Sequence, residues 1–140
     1  MNHILFIPWF TGETTKGHWS LIVRHRKPKG NAAFYHIDSL NKYDRHARYA
    51  LTNTPLFKEG IDLWHEVKTV KQTEQECGMR VCLAASMIAQ YKGTIQKRVK
   101  SCGEIDNLGK FAREYVVNIL TAKKWTGITH QQGITQKNKK

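Results

Sequence analysis

Four residue types that divide the work of acyl transfer stand at separated points of this chain: Cys77, His18, Asp38 and Gln72. A cysteine attacks a carbonyl carbon as its thiolate, so it needs a base to take the proton and a field that favours negative charge. Cys77-Gly78 stands where a run of apolar residues at helical spacing begins, and a helix N-terminus supplies such a field. Gly78 leaves open the space through which a substrate carbonyl would approach. His18, between Gly17 and Trp19 at the start of an alternating segment, is the candidate base. Asp38 closes the next alternating segment, and a carboxylate there can fix the tautomer of the imidazole and stabilise its protonated form. Gln72, in the polar stretch before the cysteine, could donate its amide to the oxyanion of a tetrahedral intermediate.

These side chains work together only if the elements between them fold to one place. Residues 4–9 form an apolar run that reads as a buried strand stopping near Pro8, where a backbone donor is lost. Residues 11–17 have the polar, Gly-containing composition of a turn, and residues 18–24 read as the returning strand of a hairpin. A second turn over 27–31 leads to a third strand over 33–38. In such a meander His18, at the start of one strand, and Asp38, at the end of the next, share one end of the sheet. Tyr43, Ala47, Ala50 and Leu51 recur at helical spacing over 42–52, with Pro55 beyond. Residues 61–67 alternate as a strand, and residues 68–76 are polar and without period. From Cys77 onward, Val81, Leu83, Ala84, Met87, Ile88 and Tyr91 make one broad apolar face, the pattern of a buried helix. A further helix is predicted over 103–120. Strands before helices predict an α+β fold, a mostly antiparallel sheet packed by helices with Cys77 at a helix N-terminus. The expected organisation is one domain over residues 1–122 and a basic, polar tail over 123–140.

Three blocks then agree in identity and order: Gly17-His18-Trp19-Ser20-Leu21, Tyr35-His36-Ile37-Asp38-Ser39-Leu40, and Gln72 through Glu76-Cys77-Gly78-Met79. Together they resemble the SUMO-specific and ubiquitin-like-protein-specific cysteine proteases, a superfamily that includes adenovirus-type maturation proteases, over roughly residues 4–120. The resemblance implies His18 as base, Asp38 as orienting carboxylate, Cys77 as nucleophile and Gln72 as oxyanion donor. It further implies that Trp19 covers a narrow tunnel admitting a Gly-Gly tail. The family's glutamine commonly lies one residue further from the cysteine, which leaves Gln75 as a rival donor, and Glu76 stands where the family usually has aspartate. No counterpart of the helical segment that precedes the family's first strand is expected among these residues, which reads either as a compact version or as part of a longer chain. The implied activity is cleavage after Gly-Gly or small residues, as a deSUMOylase- or deubiquitinase-like isopeptidase or as a viral maturation or polyprotein protease. The alternative is a catalytically idle module that holds a ubiquitin-like tail or nucleic acid.

Composition bounds these readings. Lys and Arg number 23 against 11 Asp and Glu, a net charge of +12, which makes nucleic acid a possible partner, although the basic residues are scattered. No apolar run approaches the roughly 20 residues that span a bilayer, so no membrane partner is expected. The first residues lack the pattern of a secretory signal. Three cysteines with no CxxC pair suggest a reducing, intracellular setting rather than a disulfide framework, with Cys82 and Cys102 read as buried thiols. His18, His36, His65 and the cysteines match no compact metal-ligand spacing, so neither metal nor cofactor is expected. His36 and His65 read as satisfied strand residues.

Overall fold

The computed structural model describes residues 3–13, 16–71 and 77–104, together with Glu114 and Val117. It is an α+β fold, with a four-stranded sheet in the order β1-β2-β3-β4 and three helices among the described residues. β1 (His3–Glu13) and β2 (Lys16–Arg26) pair antiparallel along their whole length, and β2 pairs antiparallel with β3 (Ala32–Ile37). β4 (Leu63–Val67) pairs with β3 in parallel, which makes the sheet mixed. The chain between them, residues 38–62, carries α1 (Asp44–Thr52), and a crossover through a helix is what returns a strand in the same direction.

The apolar run Leu21-Ile22-Val23 sits in the middle of the sheet and is buried on both faces, as a strand covered from two sides should be. Leu21 and Val23, with Tyr35, Ile37 and Val67, pack under α2 (Cys77–Gln90) and α3 (Ile95–Glu104). Ile22, Ala32 and Phe34 pack on the opposite face with Ala47 and Leu51 of α1. The sheet is thus sandwiched, α1 below and α2 with α3 above. α2 buries Leu83, Ala84, Met87 and Ile88 in one stripe.

Several sequence expectations shift. β1 does not stop at Pro8 but continues to Glu13, because β1 is an edge strand and the missing donor of Pro8 can face away from the ladder. The turn expected over 11–17 is correspondingly shorter: Gly12 pairs with Gly17, and Gly12 adopts φ 112°, which only glycine takes without strain. A helix that the sequence pattern did not reveal, α3, precedes the one expected from Gly103. Ile95, Val99, Cys102 and Gly103 form the buried face of α3, and Gly103 lies near its end. A Cβ there would collide with the Lys68 carbonyl oxygen, so the glycine lets α3 press against the segment leaving β4. Glu114 and Val117 are helical, and the rest of the 105–120 expectation and the 123–140 tail lie outside the described residues. No helix among those residues is long and apolar enough to cross a membrane.

Candidate active site

His18 lies in β2 just past the Gly12–Gly17 pair, and Asp38 follows the last residue of β3. The antiparallel pairing brings both to one end of the sheet, where His18 Nε2 donates to Asp38 Oδ1 at 2.6 Å. Both side chains are buried. Asp38 also organises the chain that follows it. Its Oδ1 accepts the amide of Leu40 at 3.0 Å, and its Oδ2 accepts those of Lys42 at 2.9 Å and Tyr43 at 2.7 Å. Burial alone would oppose ionisation of this carboxyl. The His18 hydrogen bond and the Tyr43, Leu40 and Lys42 amides outweigh it and hold the group far below the usual carboxylate range.

Cys77 is the first described residue of α2, half-buried. The backbone amide of Trp19 donates to its Sγ at 3.4 Å, which sets the sulfur against the residue adjoining His18. Because Nε2 of His18 is engaged by Asp38, Nδ1 is the ring nitrogen left for other work. The Tyr43 ring stacks on His18, with centroids 5.4 Å apart and planes at 25°.

Trp19 is not a core aromatic: 41% of its surface is exposed, and it packs against the exposed Phe10 ring at 5.1 Å. Trp19 and Cys77 help line a recess of about 20 Å³, room for about one water molecule, that also touches Ile37, Thr69, Ala84 and Cys102. Gly78 faces the same indole, a Cβ at that position falling 4.0 Å from Trp19 Cδ1. Gln72 and Gln75, the rival oxyanion donors, lie outside the described residues.

Sequence reasoning overlooked the clasp that holds Asp38 in place. The Thr69 hydroxyl donates to the Asp38 carbonyl at 2.8 Å, and the Asn41 side chain donates to the Thr69 carbonyl at 2.8 Å. Asn41 itself takes φ 52°, a left-handed conformation that asparagine tolerates. Asp-Ser-x-Asn after a strand is a recognisable signature of such a turn.

Behind the site runs a second polar chain. His36 donates from Nδ1 to Asp44 Oδ1 at 2.9 Å, the Ser20 hydroxyl donates to His36 Nε2 at 2.7 Å, and Trp64 Nε1 donates to Asp44 Oδ1 at 3.0 Å. The types and order mimic a serine triad. Ser20 and His36 are nonetheless fully buried under α1 and out of reach of any substrate, so the chain joins β2, β3, β4 and α1 instead. His65 lies in β4, its ring stacked on Tyr35.

Cys82 is exposed, against the expectation of a buried thiol, because it falls on the face of α2 opposite the Leu83–Met87 stripe. Cys102 is buried, and burial pushes its thiol up to about 12. No group of three His, Cys, Asp or Glu side chains among the described residues is arranged to hold a metal ion. Comparisons with protein-family models, with curated proteins and with solved structures found no match for this chain.

Proposed function

We propose that the chain is a cysteine protease that cuts after Gly-Gly or other small residues, with Cys77 as nucleophile, His18 as general base and Asp38 as its orienting carboxylate. The observation that carries this reading is the 3.4 Å approach of Cys77 Sγ to the Trp19 amide, beside a histidine already bonded to a buried carboxylate. His18 is bonded to Asp38, and Cys77 Sγ touches the backbone of the residue next to His18, an arrangement that supports assigning base, orienter and nucleophile to these three side chains.

In this reading Nδ1 of His18 takes the thiol proton, and the ionised Asp38 stabilises the resulting imidazolium through Nε2. The thiolate attacks the scissile carbonyl carbon, and the oxyanion is met by amides at the start of α2 and by Gln72 or Gln75. His18 then returns its proton to the departing amine, the C–N bond breaks, and a thioester to Cys77 remains. Water, deprotonated by His18, attacks the thioester and releases the carboxylate product with the thiol restored. Trp19 covers the approach. The narrow recess that it and Cys77 help line favours substrate residues without side chains, as in the C-terminal tail of a ubiquitin-like modifier or at a small-residue junction of a polyprotein.

The test is incubation with Gly-Gly-X peptides and ubiquitin-like precursors, with the cut position read by mass. Cleavage after glycine, abolished in Cys77→Ala, is expected. Tight binding of the same tails with no cleavage would identify a binding module instead.

A further inference from the structure

At the end of the sheet away from His18 and Asp38, the helices leave a row of strand residues uncovered. α2 ends at Gln90 and α3 begins at Ile95. Below that gap Ile4, His25, Ala33 and Leu63 follow one another across the four strands as register partners. They floor a cleft of about 480 Å³, within the size range of small-molecule sites.

The charged lining of this cleft is one-sided. Lys27 comes from the end of β2, Arg98 from α3 and His25 from the floor, and no Asp or Glu is among the described residues that line it. Burial, then Lys27, then Arg98 press His25 toward its neutral form, the mark of a positive field without a compensating carboxylate. His25 Nε2 and Arg98 Nε are buried and have no hydrogen-bond partner among the described residues. A buried guanidinium donor such as Arg98 Nε carries a desolvation cost that an acceptor reaching it from the cleft would remove.

The first turn of α3 adds to the same field. Thr94 and Ile95 line the cleft, and Thr94 caps the helix, its hydroxyl accepting the Lys97 amide at 3.2 Å and its carbonyl the Arg98 amide at 3.1 Å. The amides of Ile95 and Gln96 belong to the first turn, whose donors have no intrahelical acceptor, and the positive end of the helix dipole lies there. Beside these donors the cleft has an apolar side: Leu63 is half-exposed, and the His65 ring, stacked on Tyr35 with centroids 5.0 Å apart, forms part of the wall.

We infer that this cleft binds a small organic phosphate, its phosphate held by Lys27, Arg98 and the first turn of α3, its planar or apolar part lying on Leu63 and the His65 ring. Lone amides at a helix end bind anions weakly, whereas amides combined with two cations and a concave apolar floor select a phosphate attached to something. The site uses none of the residues of the proposed protease chemistry and stands or falls without it.

AMP, adenosine and inorganic phosphate, titrated by calorimetry and by amide chemical shifts at physiological ionic strength, test this. AMP should bind at least about 10-fold more tightly than adenosine and more tightly than phosphate alone, with the Ile95 and Gln96 amides shifting. Lys27→Glu, in an exposed turn, should weaken AMP about 10-fold or more, while Arg48→Glu, the same charge change on α1 at the other face of the sheet, should leave affinity within about 2-fold. Absence of AMP binding at millimolar concentration, equal losses in the two variants, or shifts confined to residues outside the cleft would overturn the inference.

Discussion

Asp38 binds His18 with one carboxylate oxygen and, with the other, gathers the amides of Lys42 and Tyr43, so the same side chain orients the ring and builds the turn that leads into α1. The two roles separate by substitution. Asp38→Asn keeps an oxygen for the turn but offers no charge to the imidazolium, and in Ser-His-Asp enzymes the equivalent change lowers kcat by about 10⁴-fold with geometry preserved. A loss of several hundred-fold or more with an unchanged circular dichroism spectrum is expected. Near-wild-type turnover would remove Asp38 from the mechanism.

The same carboxyl makes its own contribution to stability depend on pH. Its folded pKa is depressed, so the unfolded chain binds the proton more readily, and stability rises with pH wherever that difference operates. The contribution is present above the ordinary carboxylate value and is lost as pH falls from about 5 toward the depressed folded value. Urea titrations between neutral pH and pH 3 should show a steeper decline for wild type than for Asp38→Asn. Equal slopes would mean that the folded and unfolded carboxyls titrate alike.

The pairing of His18 with Asp38 was legible because both residues sit at strand ends, where a period of two locates residues well. His18 and Asp38 follow from two alternating runs joined by a turn, and the burial of α2 follows from its apolar stripe. What was not legible depended on neighbours. Pro8 ends a strand only if its missing donor is needed, and the edge position of β1 removes that need. α3 has its apolar residues at Ile95, Val99 and Cys102, but Lys97, Arg98 and Lys100 between them, and a glycine retained for close packing, dilute the pattern. The parallel β3–β4 pairing is a property of the crossover through α1, which no local period encodes.

Thiol labelling must allow for two accessible cysteines. Cys82 is exposed, so a reactive probe applied to wild type reports on both it and Cys77. In a Cys82→Ala background, labelling should fall entirely on Cys77, proceed faster than with a free thiol peptide, and drop to the peptide's rate in His18→Ala. Cys102, buried with its thiol pushed up to about 12, should react only after unfolding. A His18→Ala variant that labels at the wild-type rate would leave Cys77 without its base.

The buried chain from Ser20 through His36 to Asp44 and Trp64 should act on stability. Asp44→Ala deprives His36 Nδ1 and Trp64 Nε1 of their common acceptor, and a buried donor left unsatisfied costs about 1–3 kcal/mol. Equilibrium urea unfolding at neutral pH should register a loss in that range. A change below about 0.5 kcal/mol would indicate that water replaces the carboxylate at no cost.

Substrate shape is the sharpest consequence of Trp19. Its indole is 41% exposed, held by Phe10 on one side and set beside Gly78 and Cys77 on the other, and it helps line a recess of about 20 Å³ with room for about one water. In the proposed reading, a β-carbon on the substrate residue before the cut would press on the indole or on Gly78 at the described start of α2. Forcing an extra methyl into a packed slot costs about 1–3 kcal/mol, so Gly→Ala at that residue should lower kcat/KM by about 5- to 150-fold. Trp19→Ala should narrow the difference between Gly-Gly and Ala-Ala peptides while reducing the rate for both, because it widens the slot and loosens the hold on the chain. The measurement is a peptide series differing only at the two residues before the cut, assayed with wild type and Trp19→Ala. Equal cleavage of Gly-Gly and Leu-Leu peptides by wild type would mean that the indole leaves the approach open.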